Sequence, residues 1–175
     1  SHRQEQTDKH TRDDDDKHTL HTHTTDSQTI EPRATTLLAD VDAAEATSAD
    51  AHALLVATNR MVVDLQTAIE SLAKLTRDAY APRFRELESL VPDPLDYART
   101  VLRLGNAEDP AQVDLSSILP SATVMVVTVS ASTTLGSPLA DEALESVTGL
   151  CERVLALAAL RDRFMAVGEA PMSRA

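Results

Sequence analysis

The chain has 175 residues, of which 42% are hydrophobic and 25% charged, and its length predicts about one domain. Its formal net charge of −12 argues against strong autonomous binding to nucleic acid, because affinity for phosphates comes mostly from Lys and Arg. The sequence contains no run of about 18 apolar residues that would predict a membrane span.

Residues 1–46 are predicted to be a disordered, acidic tail. They hold 5 basic and 11 acidic residues, and over the first 31 positions aliphatic side chains are too few to offset the entropy of ordering. The pentapeptide Asp13–Lys17 matches a protease-cleavage tag, so the tail is either native or partly a remnant of engineering. His18, His21 and His23 could bind a metal ion, but without a folded frame they favour a solvated segment.

A first long helix is predicted to begin near Thr47, where Ser48 or Asp50 can cap it. Apolar residues then recur mostly at steps of three or four as far as Tyr80: Leu54, Met61, Val62, Leu65, Ala68, Ile69, Leu72 and Leu75. This spacing predicts a helix about 45 Å long, and Pro82 is expected to break it.

The segment 83–106 carries one of two Phe and one of two Tyr in a chain with 2% aromatic residues. A short amphipathic helix is predicted from four apolar residues: Phe84, Leu87, Leu90 and Val91. Pro94 suits the first turn of another helix, which contains Tyr97 and which Gly105 and Asn106 are expected to end. The segment is therefore predicted to fix a specific local geometry.

Residues 118–134, which follow a polar link over 108–117, give two conflicting signals. The β-branched run at 124–129 favours a buried strand by local propensity. The sequence offers no comparable strand to pair with it, and every other ordered segment has a helical pattern. We therefore predict a buried helix.

A last helix is predicted from about Leu139 to Val167, after a turn at 135–138. Its apolar residues follow a spacing close to that of a coiled-coil seam: Val147, Leu150, Val154, Leu157, Leu160, Phe164 and Val167. Gly149 inside this helix is expected to allow a close helix approach, and residues 171–175 are expected to form a tail.

These elements predict an all-α fold over 47–170, an elongated helical bundle with a long antiparallel coiled-coil-like hairpin. That shape is more typical of an interaction scaffold than of an enzyme. The sequence has no phosphate-binding loop, no cofactor motif and no metal-ligand set, and His52 is interpreted as a surface or capping residue. Cys151, the only cysteine, is predicted to be a buried structural thiol in a reducing compartment.

A basic and aromatic cluster is the strongest candidate contact with RNA or another partner: Arg77, Arg83 and Arg85, beside Phe84 and Tyr80. Arginine and aromatic side chains together suit a small polyanion contact. Salt bridging to nearby carboxylates is the alternative, and it would involve Asp78, Glu86 and Glu88. The sequence leaves both interpretations open.

Two segments, 80–106 and 118–136, resemble the Nop-domain ribonucleoprotein family, in particular its spliceosomal U4/U6 branch. The family's F-x-E-L and L-D-Y elements are kept as Phe84, Glu86, Leu87, Leu95, Asp96 and Tyr97, followed by Gly105 and Asn106. The A-S-T-T element that resembles the spliceosomal branch consists of Ala131, Ser132, Thr133 and Thr134. These positions are expected to have structural roles.

The resemblance implies a nuclear, non-enzymatic scaffold that binds U4 snRNA together with a kink-turn-binding protein and meets other tri-snRNP proteins. It implies neither a small-molecule substrate nor a membrane partner. The family grips RNA mainly with a globular module whose Gly-Ala signature is missing here, and residues 47–175 are themselves acidic, with 11 basic and 17 acidic residues. The chain is therefore expected to be the coiled-coil arm, either of a longer protein or of a reduced homologue.

Two other functions stay open. A core scaffold of the nucleolar box C/D snoRNP shares the F-x-E-L and L-D-Y elements, although those relatives do not usually carry A-S-T-T. A generic helical adaptor without any link to RNA is the other.

Overall fold

The computed structural model describes residues 29–41 and 48–169, and within these ranges it has helices and no strand, as an all-α fold requires. We number the α-helices α1 (29–41), α2 (Ser48–Phe84), α3 (Leu87–Leu90), α4 (Pro94–Leu104), α5 (Ser121–Ala131) and α6 (Asp141–Glu169), with a 3₁₀ turn at Pro110–Gln112. None of the described helices is both long and apolar enough to cross a membrane.

The long helices α2 and α6 pack together as an antiparallel pair, which we call the hairpin. Toward one end Arg161 donates a hydrogen bond to Gln66 over 2.7 Å, and at the other end the Ser137 N–H donates to the Pro82 carbonyl over 3.1 Å. The residue number falls along one helix as it rises along the other, so the two run in opposite directions. The predicted apolar stripes meet between them, with Leu65, Ile69, Leu72, Val147, Val154, Leu157 and Phe164 all buried.

Gly149 does not have the role that its position in α6 predicted. A Cβ atom added there would meet nothing within 4 Å, so no neighbouring helix requires a glycine at this point. The expectation of a close helix approach is wrong.

Helix α1 contradicts the predicted disordered tail over 29–41, the part of residues 1–46 that the structure describes. Ile30, Ala34 and Leu38, spaced by four residues on one helical face, are buried in the core of the hairpin. Arg33 lies 4.0 Å from Asp64, and Glu31 lies 3.8 Å from Arg153 on α6. The sequence signal was weak because the stripe has only three members, one of them alanine. The tag-like pentapeptide and the three histidines lie outside the described residues.

Pro82 does not break the first long helix, which continues to Phe84 with the proline inside it. Proline removes one backbone donor, but the flanking Tyr80 and Phe84 are buried, and their packing holds the last turn in place. The short predicted helix is correspondingly reduced to α3, and Phe84 belongs to α2.

Helix α4 begins and ends where the sequence predicted. The Asp93 carboxylate accepts hydrogen bonds from the backbone N–H groups of Leu95 (3.0 Å) and Asp96 (2.9 Å), with Pro94 in the first turn. At the other end Gly105 has a φ of +45°, a conformation that side chains with a Cβ rarely adopt.

Helix α5 is a helix, as predicted, but it is not buried. It packs against α3 and the 3₁₀ turn, and this contact buries Val127 and Ala131. On the other side Met125, Val126 and Val129 are 69%, 51% and 64% exposed. Tertiary packing is sufficient to override the strand propensity of the run, yet it covers only one side of the helix.

Candidate interaction site at the helical corner

Three of the four aromatic residues of the chain gather where the hairpin meets α3, α4 and the connection from α5 to α6. We call this region, built from 77–107 and 131–140, the corner. Tyr80, Phe84 and Tyr97 are each 1% exposed there. The prediction that rare aromatic residues mark the most specific packing in the chain is consistent with this burial.

Tyr80 ties the end of α2 to the end of α4. Its hydroxyl donates a hydrogen bond to the Gly105 carbonyl over 2.7 Å. Burial raises the pKa of the Tyr80 hydroxyl to about 12, so the side chain stays a neutral donor at physiological pH.

Two of the three candidate arginines are engaged inside the corner. Arg77 donates to the Pro92 carbonyl over 2.7 Å, and its guanidinium lies over the Tyr97 ring, 5.3 Å from the centroid. Arg83 is 5% exposed and donates to the Ala107 carbonyl over 2.7 Å. Both side chains hold loops against α2.

The arginine cluster is therefore not one basic surface. Within the described residues none of the three forms a salt bridge with Asp78, Glu86 or Glu88, and Arg83 is too buried to meet a polyanion. Both sequence interpretations are wrong for Arg83. Arg85 is exposed, and its contact with a partner stays a prediction.

The two segments that carry the family resemblance touch each other in the corner. The Thr134 hydroxyl donates to the Glu86 carboxylate over 3.2 Å, and Ala131 is buried at the end of α5. Gly136 lies directly against the Arg83 backbone, and a Cβ atom at this position would overlap the Arg83 carbonyl. The A-S-T-T element and the residues after it thus dock on the end of α2.

Asn106 bridges the corner to the start of α6. Its side-chain amide donates to the Leu139 carbonyl over 2.7 Å and accepts from the Leu139 N–H over 2.9 Å. From the sequence, Asn106 is predicted only to end α4, because nothing local marks Leu139, 33 positions away, as its partner.

The remaining family positions have local roles. Leu87 is fully buried and Leu95 is partly buried against the same core. Asp96 forms an exposed ion pair of 3.1 Å with Arg99, one turn along α4. The hydroxyls of Ser132 and Thr133 donate to backbone carbonyls of α5 at 3.0 and 3.1 Å.

The described part of the chain offers no arrangement for covalent or metal chemistry. No group of three His, Cys, Asp or Glu side chains there could hold a metal ion. Cys151 is buried, as predicted, and burial raises its pKa to about 12, which keeps the thiol protonated and unreactive.

The sequence of this chain is similar to that of several known proteins. The Nop family, described as "snoRNA binding domain, fibrillarin", matches residues 61–174. The U4/U6 small nuclear ribonucleoprotein Prp31 of Mus musculus is 42% identical over 128 residues, which are 72% of this chain and 26% of the relative. Prp31 of Xenopus laevis is 39% identical over 145 residues, 82% of this chain and 28% of the relative.

A nucleolar protein is more distant. Nucleolar protein 58 of Lodderomyces elongisporus is 30% identical over 100 residues, which are 57% of this chain and 19% of that protein. The matched part of this chain corresponds to about a quarter of the length of the Prp31 relatives.

Proposed function

The chain belongs to the Nop family, and from this membership we propose that it is a non-enzymatic scaffold of the U4/U6 small nuclear ribonucleoprotein in pre-mRNA splicing. The observation that carries the proposal is the identity of about 40% to Prp31 proteins across the hairpin and the corner, against 30% to Nucleolar protein 58. The proposed location is the nucleus, and the proposed partners are U4 snRNA, a kink-turn-binding protein and other tri-snRNP proteins.

We further propose that this part of the protein is an arm that positions partners and is not the element that grips RNA. Two features support this. Residues 47–175 hold 11 basic and 17 acidic residues, and two of the three candidate arginines are used inside the corner. Phosphate binding needs accessible Lys and Arg, so the RNA grip of the complete protein should lie outside this arm.

Recovery of associated RNA and protein tests the scaffold role. The full-length protein that contains this arm, expressed in cells with an affinity tag, should recover U4 snRNA and tri-snRNP proteins from nuclear extract in preference to box C/D snoRNA. A Phe84→Ala variant, which undoes the corner, should recover less, while Lys74→Ala at an exposed position of α2 should change nothing. Preferential recovery of box C/D snoRNA with methyltransferase subunits would support the nucleolar function instead.

A direct binding measurement tests whether this arm binds RNA by itself. The purified chain should bind kink-turn RNA only non-specifically, with a Kd weaker than ~10⁻⁴ M at physiological salt. Sequence-selective binding at micromolar concentration would place the RNA grip in this arm and contradict the proposal.

A further inference from the structure

Helix α5 has an apolar surface on all sides, and only half of it is covered. Its sequence, SATVMVVTVSA, contains no charged residue. A helix that is hydrophobic all round is normally enclosed by protein. Here the inward side packs on α3 and the 3₁₀ turn, while the outward side has no cover among the described residues.

The outward residues form one continuous stripe. At 100° per residue, Ala122, Met125, Val126 and Val129 fall within an arc of about 100°. All four are exposed, and the two serines at its edges, Ser121 and Ser132, are exposed as well. We call these four residues the α5 face. Apolar side chains grouped in this way are typical of interaction sites.

The charge near the α5 face is mainly negative. Residues 104–152 contain no Lys or Arg. Glu86 is bonded to Thr134, just beyond the end of α5, and Glu88 lies on α3, which packs against α5. Asp109 caps the 3₁₀ turn, which packs against α5. Asp114 follows this turn and is exposed, and hydrogen bonds from Ser116 together with the charge of Arg103 lower the pKa of its carboxyl. Exposed carboxylates thus border an uncharged apolar stripe.

We propose that the α5 face docks an amphipathic helix of another protein, one that presents aliphatic residues flanked by Lys or Arg. Aliphatic residues match the stripe, in the way that an amphipathic helix occupies a hydrophobic groove. Flanking basic residues match the acidic border, because complementary charge steers and orients association.

Other occupants fit the α5 face less well. A polyanion such as RNA would meet mainly carboxylates around the stripe. A second copy of the chain, also with a net charge of −12, would bring two acidic borders together. The inference rests on α5 and its border, and it holds whether or not the partner belongs to the U4/U6 particle.

Titration of a model helix tests this inference. A fluorescent amphipathic Leu/Lys peptide, followed by anisotropy, should bind the full chain at least about tenfold more tightly than a Leu/Glu peptide with the same apolar pattern. The double variant Met125→Gln/Val129→Gln should lose at least about tenfold in affinity for the Leu/Lys peptide. Glu88→Gln should weaken binding less and should reduce its dependence on salt.

A matched control distinguishes a defined site on α5 from non-specific binding to any exposed apolar side chain. Val63 on α2 is 64% exposed, the same fraction as Val129. Val63→Gln should leave binding of the Leu/Lys peptide unchanged. The double variant could lower the melting temperature of the chain. In that case Val126→Gln, a single change on the same stripe, should also weaken binding of the Leu/Lys peptide.

Four results would each overturn the inference. They are failure of the Leu/Lys peptide to bind, equal binding of the two peptides, equal weakening by Val63→Gln, and a homodimer in sedimentation that the double variant abolishes. The last would assign the α5 face to a second copy of the chain.

Discussion

The corner and the hairpin share α2 but are held together by different means. In the hairpin, Leu, Val and Ala side chains interlock, and the long-range polar contact described between α2 and α6 is that of Gln66 with Arg161. In the corner, individual side chains form hydrogen bonds with backbone groups that are distant in sequence. Tyr80 bonds to Gly105, and Asn106 bonds to Leu139.

The hairpin therefore contributes stability mainly through packing, whereas the corner sets the directions of the loops that leave α2. Aliphatic packing tolerates exchange between residues of similar volume, so the hairpin can vary while it stays folded. Hydrogen bonds between residues 24 or more positions apart fix the direction in which each loop leaves α2. The residues by which the family is recognised lie mostly in the corner, where shape depends on individual side chains.

The largest expected loss of stability comes from removing a buried aromatic ring from the corner. Phe84→Ala should lower the free energy of unfolding by about 3–5 kcal/mol, because it removes a buried ring and leaves a cavity. Urea denaturation measures the change, with Lys74→Ala as the exposed control. A loss within about 0.5 kcal/mol, which is the range typical of surface sites, would contradict the burial of Phe84.

Gly136→Ala should have the next largest effect. The added methyl group would overlap the Arg83 carbonyl, and separating the two backbones should cost about 1–3 kcal/mol. Ser137→Ala, at the exposed neighbouring residue, is the control for the same measurement. An unchanged midpoint for Gly136→Ala would mean that the α5–α6 connection can move away from α2 without loss.

Alkaline pH should weaken both regions through buried acids. Burial raises the pKa of Cys151 from 9.0 to about 12, so between these values the thiol ionises only in the unfolded chain. Stability present below pH 9 should therefore fall as pH rises, by about 1 kcal/mol per unit from this group. Cys151→Ala should flatten the dependence of unfolding free energy on pH between 9 and 11, leaving the part due to the tyrosines. An unaltered slope would mean that the thiol is accessible.

The smallest expected effect has the opposite sign. Gly149→Ala should stabilise the hairpin by up to about 1 kcal/mol, because alanine is the better helix former and its methyl group meets nothing. Thermal or urea unfolding should show the gain. The same substitution would thus destabilise at position 136 and stabilise at 149, and destabilisation at both would contradict the contrast between the regions.

The sequence alone was sufficient for the elements with strong local signals. The long hairpin follows from apolar residues at three- and four-residue steps, and α4 follows from Pro94 in its first turn and from Gly105 and Asn106 at its end.

The features that the sequence did not predict depend on tertiary partners. Helix α1 is held by the burial of Ile30, Ala34 and Leu38 in the core. Pro82 is tolerated because Tyr80 and Phe84 are buried on either side of it. The arginines could not be assigned from their neighbours, since their acceptors lie on loops 15 and 24 residues away. The exposure of α5 was missed because apolar composition does not say which side is covered.

Helix α6 sets a fixed distance between its two ends. It runs from the corner for 29 residues, a length of about 43 Å. A molecule held at the corner is thereby kept at a set distance from one held near residue 169. Removing seven facing residues from each of α2 and α6 should shorten this spacing by about 10 Å while the apolar stripes stay in register.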